Sequence, residues 1–136
     1  MLYGVAVKVI RFNELRGTER EVHCPHGGFI SYRYILERDG MGYSLHYTII
    51  PKGEPQHWHY KNHLESCLCI SGKGLLVQLG TGARYEIMPG TCYALDQHDD
   101  HTFQAIEDTI LVCVFNPPVV GREIHREDGS YANTVN

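Results

Sequence analysis

Short apolar segments alternate with turn-forming residues along the chain, and this alternation limits the fold more than any other feature. The turn signals combine glycine, proline, asparagine and aspartate, and they fall at Asp39-Gly40, Pro51–Gly53, Ser71–Gly74, Gly80–Gly82, Pro89-Gly90 and Asn116–Pro118. The intervening segments predict strands at Ile30–Ile35, Tyr43–Ile50, Ser66–Ile70, Gly74–Gln78, Arg84–Ile87, Cys92–Leu95 and Thr109–Phe115. Many short strands are typical of a β-sandwich, jelly roll or barrel, and only Asn13–Glu21 predicts a short helical turn.

Length and composition predict one domain spanning residues 1–136. The chain is 43% hydrophobic and 21% charged, which is ordinary for a globular protein. Its net charge of −4 and scattered basic residues argue against nucleic acid or a membrane surface as partners, so we expect neither. The N-terminal run MLYGVAVKVIRF fits neither an export signal nor a membrane helix, and without an export signal we expect the five cysteines to be reduced thiols. We therefore expect a cytoplasmic protein.

The segment LESCLCI points a carboxylate toward the interior. Alternate residues of a strand share one face, so Glu65 lies on the same face as Cys67 and Cys69. A buried carboxylate is costly unless it is paired or bound to a cation, which predicts a metal site. Pairing of Glu65 with Lys61 or Arg33 is the alternative explanation. Single loop histidines are usually solvated, and we expect this of His23, His26, His57 and His98.

Two motifs resemble those of the cupin superfamily. The first is matched by Gly53, His59, Lys61, Glu65 and Gly72, and the second by Gly82, Met88–Gly90, Tyr93 and Gln97. Lys61 and Tyr93 stand where cupins usually have histidine ligands, and the run DQHDDH offers His98 or His101 as a third ligand. One carboxylate, one phenolate and one imidazole suit iron better than structural zinc. A buried tyrosine is more often a core residue than a ligand. The resemblance implies an all-β cupin double-stranded β-helix (jelly-roll) barrel with one or two short helical turns.

Longer segments are similar to the ectoine synthase family over residues 9–131. They are RGTEREV, RDGMGYSLHYTII, YKNHLESCLCISGKG, PGTCYALDQHDDH and VCVFNPPVVGREIHREDGSY. The resemblance implies a cytoplasmic, homodimeric hydro-lyase that uses iron (Fe2+). Such an enzyme cyclises N-γ-acetyl-L-2,4-diaminobutyrate to ectoine, a compatible solute made under osmotic stress, and releases water.

The same resemblance assigns roles to individual residues. It implies metal ligands at Glu65, Tyr93 and His101, substrate contacts at Phe29, Arg33, Thr48, Cys113 and Phe115, and catalytic roles for Tyr60, His63 and Glu123. We expect Arg33 to bind the substrate carboxylate through its fork of donors. Tyr60 and Glu123 are the candidates for moving protons. If the function differs, Cys113 and Phe115 are plain strand core, and Glu123 is a surface partner of Arg122 or Arg126.

Several residues depart from the family pattern. Phe29 stands where a tryptophan is expected, and Ser66 and Cys67 stand where small or aliphatic residues are more usual. Residues 1–8 predict an N-terminal extension and residues 126–136 a polar tail that frays. Two other functions stay open on these grounds: a divergent cupin acting on a related N-acetylated diamine, and a non-catalytic cupin that binds a small ligand. Lys61 and Tyr93 argue against an oxygenase or isomerase, because those cupins usually keep several histidine ligands.

Overall fold

The computed structural model describes residues 7–24, 28–125 and 128–131, which form two antiparallel sheets. In order across the first sheet, the strands are β1 (Glu21–His23), β2 (Ile30–Ile35), β3 (Ser44–Ile50), β10 (Thr109–Asn116), β5 (Leu64–Ser71) and β8 (Cys92–Leu95). The second sheet has the order β4 (Gln56–Trp58), β9 (His101–Ala105), β6 (Gly74–Gln78) and β7 (Arg84–Ile87). A helical turn α1 (Phe12–Leu15) and a 3-10 turn (Glu37–Asp39) complete the described elements. The all-β prediction with two short helical turns is confirmed.

The strand predictions differ from the structure mainly at short polar segments. All seven predicted strands are present, with ends that differ by at most two residues. Three further strands, β1, β4 and β9, were not predicted. Their sequences, EVH, QHW and HTFQA, are short and mostly polar, so neighbouring strands rather than intrinsic preference stabilise them.

The core lies between the two sheets because alternate strand residues face inward. In β5 the buried residues are Glu65, Cys67 and Cys69, as the alternation predicts. The second sheet contributes Phe103, which lies over Gly74 so closely that an added Cβ would be 2.3 Å from its ring. Gly72 has a φ of +86°, and a Cβ there would lie 2.1 Å from the carbonyl oxygen of Asp108. The turn that joins β5 to β6 therefore requires glycine at both positions.

The segment after β10 folds back over one end of the barrel. Arg33 donates to the carbonyl oxygens of Gly121 and Glu123 at 2.8 and 2.6 Å, and Tyr131 is buried against Tyr60 and Phe115. The fraying predicted for residues 126–136 does not apply to residues 128–131, because the carbonyl of Gly129 accepts a hydrogen bond from the amide of His59. The rest of that tail, most of the extension 1–8 and His26 lie outside the described residues.

None of the helices in the described part of the chain has the length and apolar character needed to cross a lipid bilayer.

Candidate active site

Three strands bring the predicted metal ligands into the interior of the barrel. Glu65 and Tyr93 come from neighbouring strands of the first sheet, where Cys67 pairs directly with Tyr93 and Glu65 pairs with Leu95. His101 is the first residue of β9 in the opposite sheet and pairs with Trp58. All three side chains are buried. The site therefore draws ligands from both sheets. Strands β5 and β8 are neighbours in the first sheet, and β9 belongs to the second.

Each of the three candidate ligands carries a buried polar atom that lacks a hydrogen-bond partner among the described residues. The atoms are Glu65 Oε1, Tyr93 Oη and His101 Nε2. Native structures satisfy most buried polar atoms, so three such atoms from one predicted ligand set indicate a group that the protein alone does not supply.

The electrostatics of these side chains fit a cation. Burial raises the pKa of Glu65 to about 8, and burial also raises the pKa of Tyr93 well above its ordinary value. The ring of His101 donates from Nδ1 to the carbonyl of Asp99 at 2.9 Å, because a carbonyl can only accept. This bond leaves the Nε2 lone pair free to bind a metal, and burial lowers the pKa of His101 so that the ring stays neutral.

The alternative partners of Glu65 are engaged elsewhere. Lys61 pairs with Asp128 at 3.0 Å, and Arg33 donates to Ser31, Gly121 and Glu123. The structure also separates the two candidate histidines of DQHDDH. His98 has a φ of +51° and an exposed side chain, whose Nδ1 lies 2.9 and 3.1 Å from the carbonyls of Tyr60 and His63. His101 instead points inward, toward the candidate metal site.

The candidate ligands lie beside two cavities. Tyr93 and His101 line a cleft of about 680 Å³ between β6, β7 and β8. Glu65 lines a second cavity of about 10 Å³, which is the size of one water molecule. That small cavity brings together four of the predicted substrate residues, Phe29, Thr48, Cys113 and Phe115, with Tyr60. A substrate of several heavy atoms binds there only if lining side chains rearrange.

Tyr60 forms a buried pair with His125 at the wall of the small cavity. The Tyr60 hydroxyl lies 2.7 Å from Nε2 of His125. Burial raises the pKa of Tyr60 well above its ordinary value and lowers the pKa of His125 to about 3, so the tyrosine keeps its proton and donates it to a neutral imidazole. Trp58 stacks on the His125 ring, with centroids 5.3 Å apart.

Arg33 and Glu123 hold the C-terminal segment in place. Neither residue lines the small cavity. Arg33 is 0% exposed, and its guanidinium donates to Ser31 Oγ and to two backbone carbonyls. The carboxylate of Glu123 accepts hydrogen bonds from the amides of Val120 and Gly121, both at 2.7 Å. The expected contact between Arg33 and a substrate carboxylate thus competes with bonds that Arg33 makes within the protein. The alternative pairing of Glu123 with Arg122 is replaced by these amide bonds.

His63 is buried, and its ring nitrogens lack hydrogen-bond partners within the described ranges. It packs edge-on against Phe115 and Tyr131. Burial lowers the pKa of His63, while the nearby Glu123 raises it. Sequence reasoning did not single out His125, Tyr131, Trp58 or His46, which also line the small cavity. The run GREIHREDGSY, which carries the first two, was the available signal.

The two facing antiparallel sheets form the double-stranded β-helix fold of cupins, as the similar solved structures show. The cupin domain of Schizosaccharomyces pombe Cnp3 has the same fold, with a TM-score of 0.56 and 11% identity over 65% of this chain and 64% of that chain. At this identity the likeness concerns the fold alone.

The sequence identifies the branch of this superfamily. The family model described as ectoine synthase matches residues 7–135. The L-ectoine synthase of Alkalilimnicola ehrlichii is 48% identical over 126 residues, covering 92% of this chain and 94% of that protein. The crystal structure of ectoine synthase from P. lautus superposes with a TM-score of 0.78 at 38% identity, over 84% of this chain and 80% of that chain. The chain belongs to the ectoine synthase family and is an enzyme of that type, a lyase.

Proposed function

We propose that this enzyme cyclises N-γ-acetyl-L-2,4-diaminobutyrate to ectoine with release of water. The relatives named L-ectoine synthase supply the reaction class. The observation that carries the proposal to this chain is the set of three buried polar atoms, Glu65 Oε1, Tyr93 Oη and His101 Nε2, that lack partners in the described part of the protein.

The proposed cofactor is iron (Fe2+), held by these three atoms. Two oxygens and one nitrogen are a hard donor set that iron accepts more readily than a structural zinc does. When bound, the ion supplies a Lewis acid that polarises the amide carbonyl of the substrate. Three protein ligands also leave coordination positions for that carbonyl. Burial keeps a proton on both oxygen donors near neutral pH, so the Glu65 carboxyl and the Tyr93 phenol would each release a proton to solvent when the ion binds.

The remaining residues orient the substrate and move protons. Phe29, Thr48, Cys113 and Phe115 form an apolar wall with one hydroxyl, which would fold the chain so that its amine meets the amide carbonyl. Tyr60 lines the same cavity and holds a proton on its hydroxyl, so it is better situated to donate to the leaving oxygen than Glu123, whose carboxylate binds two backbone amides. His63 is a buried imidazole near Glu123, and burial lowers its pKa so that the ring stays neutral.

Incubation of the purified protein with N-γ-acetyl-L-2,4-diaminobutyrate, with and without Fe2+ under anaerobic conditions, tests the proposal. We expect ectoine only with iron, loss of product in Tyr60→Phe, and retained product in Tyr43→Phe, a partly exposed tyrosine outside both cavities that serves as the control. Iron-replete protein that binds the compound without turnover would instead support a divergent cupin for a related N-acetylated diamine. Ligand binding that is unchanged in Glu65→Ala and needs no iron would support the non-catalytic alternative.

We further propose that two copies associate through the outer face of the first sheet. The outward-facing residues Leu64, Leu68 and Ile70 of β5 are exposed, and Val114 of β10 lies beside them. An apolar sheet face of this kind is typical of a protein contact, and a second copy is the occupant that the family resemblance implies. Sedimentation equilibrium should give a dimer that Leu68→Lys dissociates and Leu79→Lys, an exposed control outside the face, leaves intact.

A cytoplasmic location is part of the same proposal. All five cysteines lie within the described residues and are free thiols. Reduced thiols and a ferrous cofactor both fit a reducing compartment.

A further inference from the structure

Two cysteines lie beside Glu65 in an arrangement that the proposed iron site does not use. Cys67 in β5 pairs directly with Cys113 in β10, and their sulfur atoms are 3.5 Å apart. The ligand atoms of Glu65, Cys67 and Cys113 all lie within 4.8 Å of one another. No other trio of histidine, cysteine, aspartate or glutamate in the described ranges converges in this way.

The surroundings of this trio suit a cation. Glu65, Cys67 and Cys113 are buried, and Oε1 of Glu65 finds no hydrogen-bond partner in the part of the chain that the structure covers. All three line the small cavity, whose volume of about 10 Å³ holds one water molecule or one ion. The Cys113 sulfur also makes a weak contact with Thr48 Oγ1 at 3.8 Å and interacts with the Glu65 carboxyl group. A single ion among the three would therefore satisfy the carboxylate at little steric cost.

We propose that Glu65, Cys67 and Cys113 form a second donor set that binds a thiophilic divalent cation such as zinc or cobalt. Two sulfurs and one oxygen match the preference of these ions, whereas the set of Glu65, Tyr93 and His101 offers only oxygen and nitrogen. Each thiol, and the Glu65 carboxyl group where it is protonated, releases its proton to solvent when the ion binds. The binding needs neither Tyr93 nor His101, so the inference stands apart from the proposed iron site although both share one carboxylate.

Sharing of Glu65 makes the two ions mutually exclusive. The ligand atom of Glu65 lies within 4.8 Å of both sulfur atoms, and the small cavity has room for one ion. We therefore expect zinc to compete with iron for the protein rather than bind in addition to it.

Cobalt provides the direct test, because a cobalt–thiolate bond gives a charge-transfer band in the near ultraviolet. The full-length protein, reduced and freed of metal, is titrated with Co2+ while the absorption spectrum and the bound metal are recorded. We expect one ion per chain and an intense band. The band should fall to roughly half in Cys67→Val or Cys113→Val, which leave one sulfur each, and vanish in the double variant. Cys69→Val, a buried cysteine two residues along the same strand face, is the matched control and should keep the full band.

Further variants separate this inference from the proposed iron site. Tyr93→Phe and His101→Ala should lower Fe2+ binding yet retain the cobalt band, whereas Cys67→Val should lower cobalt and zinc affinity by about a hundredfold while retaining Fe2+. Cobalt bound without a thiolate band, or with a band unchanged in Cys67→Val, would overturn the second donor set. Full Fe2+ occupancy in Tyr93→Phe and His101→Ala would instead overturn the iron ligand assignment and leave the cobalt result unaffected. Circular dichroism of each variant confirms that the fold is kept.

Discussion

Replacement of Glu65 by glutamine should stabilise the metal-free protein, although it removes a proposed metal ligand. The carboxyl group is 5% exposed, and burial raises its pKa from 4.5 to about 8. The folded state thus holds a proton that the unfolded state releases between these two values. Stability conferred by the parent side chain therefore falls as pH rises from about 4.5 to about 8, because ionisation is easier in the unfolded chain.

The magnitude follows from the same two pKa values. Each pH unit above 4.5 costs about 1.4 kcal/mol until the pH approaches 8. The cost is thus below about 1 kcal/mol at pH 5 and about 3 kcal/mol at pH 7. A neutral Glu65→Gln side chain avoids this cost. For a chain of 136 residues, the melting temperature of metal-free Glu65→Gln should exceed that of the parent by about 10 °C at pH 7 and by much less at pH 5.

Thermal unfolding of both proteins in chelator, followed by circular dichroism from pH 5 to 8, measures this difference. Glu107→Gln removes an exposed carboxylate and should follow the parent at every pH. Addition of Fe2+ should reverse the order, because only the parent keeps the ligand and gains stability from binding. A difference between parent and Glu65→Gln that stays constant with pH would refute the idea that Glu65 is buried as a protonated acid in the metal-free protein.

Three other perturbations test the account at separate points. Tyr93→Phe keeps the ring that stacks on Phe103 but removes an unsatisfied hydroxyl. The free energy of unfolding of the metal-free protein should therefore change by less than about 1 kcal/mol, while the iron affinity measured by titration should drop at least about tenfold. A loss of stability without a loss of iron binding would contradict the role of Tyr93 as a ligand. Gly72→Ala forces a Cβ to within 2.1 Å of the Asp108 carbonyl, so denaturant titration should show destabilisation by about 3 kcal/mol or more. The control Gly80→Ala has open space around the added Cβ and should cost less than about 1 kcal/mol. Arg33→Lys loses the planar fork of donors that bonds the carbonyl oxygens of both Gly121 and Glu123, so amide hydrogen exchange should rise in residues 119–125. Unchanged exchange there would mean that Arg33 does not hold this segment in place.

The alternating pattern of the strands made much of the barrel predictable. A period of two in LESCLCI was enough to place Glu65 on the buried face with Cys67 and Cys69, and the structure confirms it. The ends of β5 and β10 were also close to those predicted. Strand β9 escaped prediction because HTFQA follows an acidic, histidine-rich run and depends on β4 and β6 for its pairing.

Long-range contacts explain what the sequence did not reveal. Spacing left His98 and His101 as equal candidates, and only the fold shows that one side chain turns outward while the other faces the interior. Arg33 binds carbonyls 88 and 90 residues further along the chain, which no local pattern could indicate. The contact between Cys67 and Cys113 likewise depends on the pairing of β5 with β10, strands that are separated by 46 residues at this point.

In the mechanism we propose, iron binds between Glu65, Tyr93 and His101. A crystal of the iron-loaded, reduced protein, measured on both sides of the iron absorption edge, tests this claim most directly. We predict one anomalous peak per chain, within bonding distance of Glu65 Oε1, Tyr93 Oη and His101 Nε2. A peak bound instead by His63, His98 or His125, or an iron ion that Glu65 does not contact, would contradict the account.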